Sequence, residues 1–372
     1  MADAKPTSQR NGRRRPATMK DIADAAGVAQ STVSRILNDS PALIRVSPET
    51  RERVRAIASD LGYRPHPFAR SLRGAPSMLL GAVVRDVTDP FFAGAIEALC
   101  VEAKARGYAV VLGHAHAAAD EALALAAVLE ARQCDAIVLL GDFRDEPRLV
   151  EDLSNSDVHV VALWHGSQQG HRFPTVTVDN EAGIHAALTH LTSLGHRRIA
   201  FVGGDSLGDI RERQAAYEGY LAAVELEQPD GYTPSGPNTI AGGRLALSTL
   251  LQLPQPPTAI LAATDTIAMG MIAAAYEDGV DVPGELAIVG FDDIPIAAAA
   301  APRLTTVRMP TAEIVSAGVE LAVGEAAWSP HSTEDPPRLI FQPELVVRRS
   351  TGPVATAAAE ACATPAASAA GR

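Results

Sequence analysis

Five side chains that can hydrogen-bond lie within the six residues 30–35, after Gly27, and none of them is acidic. They are Gln30, Ser31, Thr32, Ser34 and Arg35. On one helix they form a polar face that can enter the major groove of a DNA duplex beside its phosphates. We expect Gln30, Ser31 and Arg35 to read base edges. We expect the other two, together with Asn38, to hold phosphates.

Two short helices joined at a tight turn must position this polar face. Thr18 can cap the first helix, and Asp21 completes a capping box. Gly27 takes the left-handed turn without steric cost. A third helix begins at the sequence Ser47-Pro48-Glu49, which combines a cap with a proline at the first helical position. The expected core consists of Ile22, Ala23, Ala26, Val28, Val33, Ile36, Val54, Ile57, Ala58 and Leu61.

The charge distribution places the positive charge at one end of the chain. The 372 residues carry a formal net charge of -12, which alone argues against nucleic acid. However, residues 1–75 contain 14 basic and 7 acidic residues, a net of +7, whereas the remainder carries -19. A basic head on an acidic body directs a polyanion to the head.

From Met78 onward, apolar runs alternate with amphipathic helices, which predicts doubly wound parallel sheets. There are too many units for one sheet, so we expect two αβ lobes with a ligand site at the carboxyl ends of the strands. The expected helices include 91–105, 182–194 and 267–277. The expected strands are 79–84, 109–113, 136–140, 158–163, 199–202, 259–262 and 287–290.

The N-terminal segment resembles the headpiece of the LacI/GalR family of bacterial transcriptional regulators. The resemblance rests on "DIADAAGVAQSTVSRILN", "VSPETRERV", "LGYRP" and "PFARSLRG". It implies that Tyr63 also contacts DNA and that the last piece is a hinge helix in the minor groove. There Leu72 acts as a wedge between base pairs and Arg70 lies along the phosphates. The chain departs from the family at Ala29, where a capping serine is usual, and at His66, where Asn is usual.

The body is similar to the ligand-binding core of the same family, which resembles periplasmic sugar-binding proteins. The matching segments are "LLGAVVRDVTDPFFAGAIEAL", "LGHRRIAFVGG", "ATDTIAMG", "AIVGFDDIP" and "PRLTTVRMP". The resemblance implies that Arg213 grips an effector, since a guanidinium suits paired hydroxyls or a carboxylate. It also implies that Asp292 accepts hydrogen bonds from effector hydroxyls.

Four further residues are candidates for the same effector site. Asp265 is a comparable carboxylate, although it can instead cap a helix starting at Thr266. Trp164 stands where the family has Asp, and it either stacks on a ring or plugs the cleft wall. Asp86 and Phe91 belong to the first loop of the core and are expected to line the pocket.

The fold class expected overall is α/β, with a small all-α helix-turn-helix headpiece followed by two doubly wound parallel lobes like those of periplasmic binding proteins. The expected parts are a basic tail (1–17), the headpiece (18–64), a hinge and linker (65–76), the effector-binding and dimerisation core (77–352) and a disordered tail (353–372). Within the core, one lobe comprises 77–177 and 308–338, and the other comprises 178–307 and 339–352.

The function expected from these features is a ligand-responsive repressor that binds a pseudo-palindromic operator as a homodimer, with a sugar or sugar derivative as effector. An alternative is a small-molecule binding protein whose head binds another partner such as RNA. A third is a hydrolase, because "GDSLG" (204–208) satisfies the nucleophile pattern with Asp292 and His331 downstream. We expect no enzyme activity, no metal and no cofactor. With no signal peptide and no long apolar run, we expect a cytoplasmic protein without membrane contact.

Overall fold

Three short helices form the N-terminal part of the chain. In the computed structural model they are α1 (Met19–Ala26), α2 (Gln30–Leu37) and α3 (Pro48–Asp60). The predicted capping box is confirmed: Thr18 Oγ1 accepts from the Asp21 amide at 3.3 Å, and the Asp21 carboxylate accepts from the Thr18 amide at 2.7 Å. Gly27 follows α1 in the left-handed conformation with φ 65° and turns the chain toward α2.

The structure describes residues 17–37, 46–63, 76–143, 147–156, 158–165, 172–203, 207–324 and 335–354. They divide into two units, Met1–Ser77 and Met78–Arg372. In the part of the chain so described, no helix is both long and apolar enough to cross a membrane.

Small aliphatic side chains build the core of the first unit. Its buried members are Ile22, Ala23, Ala26, Val33, Ile36, Val54 and Ala58. Val28 and Ile57 are only partly buried against this core. The prediction that Leu61 belongs to the core is wrong: α3 ends at Asp60, and Leu61 follows as its C-cap with 45% of its surface exposed.

The first sheet of the second unit has six strands in the order β10-β5-β4-β3-β1-β2, and each recorded pair is parallel. Its helices cross between consecutive strands, as the alternating sequence pattern predicts. The strands are β1 (Leu79–Val84), β2 (Ala109–His114), β3 (Ala136–Leu140), β4 (His159–Leu163), β5 (Thr175–Val178) and β10 (Arg338–Phe341). The connecting helices are α4 (Pro90–Ala105), α5 (Ala119–Ala131) and α6 (Pro147–Ser154).

The second sheet has five strands in the order β11-β9-β8-β7-β6. Its pairs are parallel except at the edge, where β11 runs antiparallel to β9. The strands are β6 (Ile199–Val202), β7 (Ala259–Ala262), β8 (Ala287–Asp292), β9 (Thr305–Arg308) and β11 (Glu344–Val346). The helices after β5 are α7 (Asn180–Ser193), α8 (Gly208–Ala223), α9 (Ile240–Leu251), α10 (Asp265–Asp278), α11 (Pro295–Ala299) and α12 (Thr311–Ala322).

The chain passes between the two lobes three times. It crosses after β5, after β9 and between β10 and β11. Helix α7, which follows β5, packs on α8 of the second lobe, whereas α12, which follows β9, packs on α4 and β4 of the first. Strand β10 pairs with β5, so the last crossing falls after Phe341 and not at the expected residue 338. The carboxyl ends of both sets of parallel strands therefore border one cleft, where residues following β1, β3 and β6 contact one another.

Candidate functional site

Helix α2 exposes three of the side chains predicted to face a groove. Gln30, Ser31 and Arg35 are exposed and Thr32 is half-buried. The expectation for Ser34 is wrong, because its surface is only 7% exposed and it lies on the core side with Val33. At about 100° per residue, position 34 falls beside the apolar stripe rather than opposite it.

The other headpiece candidates are only partly described. Tyr63 is half-buried against the three-helix core, and its amide donates to the carbonyl of Ala58 at 2.9 Å. Asn38, Arg70 and Leu72 lie outside the described residues. At the start of α2 the carbonyl of Ala29 accepts from the amides of Thr32 and Val33, but alanine offers no side-chain cap.

In the second lobe, Arg213 of α8 holds a buried position between three strand ends. Its Nε donates to Asn180 Oδ1 at 2.9 Å, and its Nη1 donates to the carbonyl of Ala263 at 2.6 Å. The same Nη1 is 3.5 Å from Asp292 Oδ1, and the guanidinium carbon lies 3.7 Å from the centroid of the Phe291 ring. The two residues predicted to grip an effector are thus brought together.

Asp292 ends β8 in a conformation that favours glycine, with φ 118°. Such backbone positions concentrate at functional sites, because the surrounding structure must hold them against their strain. Burial raises the pKa of Asp292 well above its ordinary value, although the Arg213 charge lowers it. Its neighbour Asp293 pairs instead with Arg308 and Arg348.

Asp265 is buried, and its recorded hydrogen bonds go to residues other than Arg213. Its Oδ1 accepts from Thr306 Oγ1 at 2.5 Å, and its Oδ2 accepts from the amide of Ile294 at 2.9 Å. Burial raises its pKa to about 7. The alternative capping role is wrong, because Thr264 is the cap of α10 and Asp265 is the first helical residue.

The first lobe contributes a buried cation that the sequence analysis missed. Arg85 follows β1, and its Nη1 lies 3.3 Å from both carboxylate oxygens of Asp209 in the opposite lobe. Its Nη2 is 3.6 Å from Asp89, and Phe92 lies 4.8 Å beneath its guanidinium. Burial raises the pKa of Asp209, but the charges of Arg85 and Arg213 lower it by more, so the net shift of this pKa is downward.

A second contact across the cleft was also missed. Asp142, fully buried after β3, accepts from the amide of Asp209 at 2.7 Å. Its other oxygen lies 3.0 Å from Nδ1 of His165, which is itself buried after β4. The rule that ligands bind at the carboxyl ends of strands could have found Arg85, Asp142 and Asp209, since each follows a strand or begins the helix after it.

Two aromatic side chains form a wall in the first lobe. The Phe91 and Trp164 rings meet edge to face with centroids 5.0 Å apart. Trp164 has φ 53° and is 4% exposed, so the indole fills the wall. Its Nε1 has no hydrogen-bond partner within the described chain.

Asp86 lies apart from the wall, where it accepts from the amide and hydroxyl of Thr88 and is 3.3 Å from His114. Burial raises the pKa of Asp86, but the Thr88 hydrogen bonds outweigh that effect and the net shift is downward. The neighbouring His116 pairs with Glu121 and stacks on His114.

Comparison with known proteins finds two family profiles. "Bacterial regulatory proteins, lacI family" matches residues 18–66, and "Periplasmic binding protein-like domain" matches residues 188–351. The regulator GalS of Salmonella typhimurium is 33% identical over 336 residues, which cover 90% of this chain and 96% of GalS. The repressor CytR of Escherichia coli K12 is 33% identical over 300 residues, covering 80% of this chain and 86% of CytR.

The chain belongs to the LacI family of bacterial regulatory proteins. This LacI-family regulator also matches solved structures. A transcriptional regulator CelR–cellobiose complex is 30% identical, with TM-score 0.65, over 90% of this chain and 99% of that one. A lac repressor dimer bound to operator has TM-score 0.78 over 91% of this chain and 100% of that one. At 24% identity, that second match shows the fold alone.

Proposed function

We propose that this regulator is a ligand-responsive repressor that binds a pseudo-palindromic operator as a homodimer, with its affinity set by a small molecule in the cleft. The observation that carries the proposal is the combination of two parts in one chain. Helix α2 presents Gln30, Ser31 and Arg35 on a three-helix core. The cleft of the second unit holds Arg213 against Asp292 at the ends of parallel strands.

The DNA-binding role assigns specific chemistry to α2. A guanidinium can donate two hydrogen bonds to the O6 and N7 atoms of guanine, so we assign base readout to Arg35. Gln30 and Ser31 are exposed on the same helix, and we assign a phosphate contact to Thr32. The relatives support this role, because GalS and CytR are both helix-turn-helix regulators by name. Two-fold symmetry of a dimer would match two half-sites in the operator.

The effector role rests on the geometry of the cleft. Asp292 can accept from ligand hydroxyls while Arg213 remains fixed by Asn180 and the Ala263 carbonyl. Phe91 and Trp164 offer an apolar wall to the less polar face of a ring. Cellobiose in the CelR complex is a precedent for a sugar in a related structure.

Coupling between ligand and DNA requires a difference in affinity between open and closed lobes. A ligand shifts such an equilibrium only by its differential affinity for the two states. We propose that closing the cleft changes the spacing of two hinge segments (65–76), one in each subunit, and so alters their pairing on DNA.

The test of the proposed function is selection of binding sites from random duplexes with the full chain. The expected result is a palindromic site bound with an affinity that falls steeply with salt. Equal binding to unrelated duplexes, or preference for single-stranded RNA, would contradict it.

We propose no catalytic activity. The motif residues 204–206 and His331 lie outside the described residues, and Asp292 is engaged by Arg213. Hydrolysis of a generic ester that is lost in Ser206→Ala would overturn this part of the proposal.

A further inference from the structure

The helix N-termini at the strand ends are where a cleft of this fold would bind an anion. Their free amides and aligned dipoles favour phosphate and carboxylate groups. Three helices begin at the edge of the cleft: α4 after β1, α8 after β6 and α10 after β7. In this chain each of those N-termini is already occupied by one of its own side chains.

The N-terminus of α8 is occupied from across the cleft. Its own N-cap residue, Leu207, makes no side-chain capping bond. Instead the carboxylate of Asp142, from the opposite lobe, accepts from the Asp209 amide at 2.7 Å. The fit is tight, because a Cβ atom placed on Gly208 would meet that carboxylate at 2.6 Å. Asp142 thus stands where an anionic group of a ligand would bind.

The other two N-termini are capped within their own lobes. At α4 the carboxylate of Asp89 accepts from the Phe91 amide at 3.1 Å, and Pro90 has no amide hydrogen to offer. At α10 the hydroxyl of Thr264 accepts from the Ile267 amide at 3.3 Å and donates to Asn238 at 2.6 Å. Neither terminus keeps these donors for a ligand.

Both cleft cations are also engaged by protein groups. Arg85 pairs with Asp209 and Asp89, and Arg213 is held by Asn180, the Ala263 carbonyl and Asp292. Around these two guanidinium groups lie four buried carboxyl groups, those of Asp89, Asp142, Asp209 and Asp292. A further anion would add to this excess of acidic groups in a site that water screens poorly.

We infer that the cleft takes an uncharged, hydroxyl-rich ligand and rejects phosphate esters and carboxylates, with Asp142 and Asp209 as the residues that set this specificity. Hydroxyl groups can donate to the carboxylates, which an anionic group cannot do. Trp164 Nε1 and Thr266 Oγ1 are buried without a hydrogen-bond partner in the described chain, and each can bond to a neutral hydroxyl group. This inference rests on the proposed function, because it takes the cleft as the effector site.

The direct test measures the melting temperature of the full chain against rising concentrations of inorganic phosphate. The test variant is Asp142→Ala/Asp209→Ala, which frees the N-terminus of α8 and leaves the guanidinium of Arg85 paired with Asp89 alone. The matched control is Glu225→Ala/Asp278→Ala, which removes two exposed acidic groups and changes the net charge equally. We expect a saturable rise of a few degrees in the test variant and no saturable rise in the wild type or the control.

Two outcomes would overturn the inference. One is a saturable rise in the melting temperature of the wild type that Arg213→Met abolishes. Phosphate could cause it, or glucose 6-phosphate or ribose 5-phosphate where the parent sugar does not. The other is a cooperatively folded test variant that gains no phosphate response. If the double variant does not fold, the single variant Asp142→Ala replaces it, since it alone vacates the N-terminus of α8 and should still give a measurable phosphate response. Selective operator binding is scored separately, so failure of the proposed function is distinguishable from failure of this inference.

Discussion

Replacing Asp292 by Asn separates the proposed binding role of this carboxylate from any stabilising role. Within the described chain, the polar contact recorded for Asp292 is the 3.5 Å approach of Arg213. Arg213 keeps its bonds to Asn180 and the Ala263 carbonyl when the charge is removed. Asn has the same shape as Asp and can still accept a hydrogen bond, so the change removes the charge and exchanges one acceptor oxygen for an NH2 donor while the packing is kept.

The expected stability change follows from the direction of the pKa shift. Because burial raises the pKa of Asp292 in the folded state, its stabilising contribution is fully present below pH 3.8 and is lost as the pH rises. Asp292→Asn should therefore be at least as stable as the wild type at pH 7 to 8. In contrast, Arg213→Met leaves buried Asp292 without its cation and should cost about 3–5 kcal/mol.

The main effect expected of Asp292→Asn is on effector binding. A hydrogen bond to a charged group contributes about 1.5–3 kcal/mol, so Asp292→Asn should weaken effector binding about 10- to 150-fold. Urea unfolding at pH 7 gives the stability, and titration of the effector gives the affinity. The reasoning is refuted if Asp292→Asn destabilises the protein as much as Arg213→Met does while effector affinity is unchanged.

Four further predictions concern other parts of the chain. Ala29→Ser supplies the missing cap of α2 and should stabilise the headpiece by about 1 kcal/mol, seen as slower hydrogen exchange of α2 amides; unchanged exchange would contradict it. Arg35→Ala should cost about 1–3 kcal/mol in operator binding and relax preference at one position per half-site, whereas an equal loss on every duplex would make Arg35 a phosphate contact. Leu72→Ala should weaken operator binding strongly, leave random DNA unaffected and reduce bending in a circular-permutation assay; unchanged bending would reject the wedge. Asp265→Asn should flatten the dependence of the unfolding free energy on pH between pH 3.8 and about 7. The raised pKa of Asp265 makes its stabilising contribution, on the order of 4 kcal/mol, disappear as the pH rises through that window. If urea unfolding gives the same pH dependence for the variant and the wild type, the prediction is wrong.

Local patterns predicted most of the architecture because their causes are local. The capping box of Thr18 and Asp21 needs only four residues, and each predicted strand of the body is a short apolar run bounded by polar residues. Four strands escaped prediction, namely β5, β9, β10 and β11. β5 reads Thr-Val-Thr-Val, and β11 has only three residues, so neither forms a distinct apolar run.

The site was only half predictable, because its contacts join distant parts of the chain. Arg213 and Asp292 were found through the family resemblance and the rule on strand ends. The pair formed by Arg85 and Asp209 spans 124 residues, and Asp142 meets the Asp209 amide across 67. No periodicity encodes such separations, because the crossings between the lobes create them. Ser34 was misplaced for a simpler reason: a small hydroxyl side chain beside an apolar stripe can be buried or exposed.

Operator affinity measured with and without a cleft ligand decides whether this regulator works as proposed. Fluorescence anisotropy with the selected operator, the full chain and a neutral sugar that stabilises it provides the measurement. We expect the sugar to change the operator Kd at least tenfold in the wild type and to have little effect in Asp292→Asn at the same concentration. A sugar that binds the cleft but leaves the operator Kd of the wild type unchanged would contradict the coupling of cleft and headpiece.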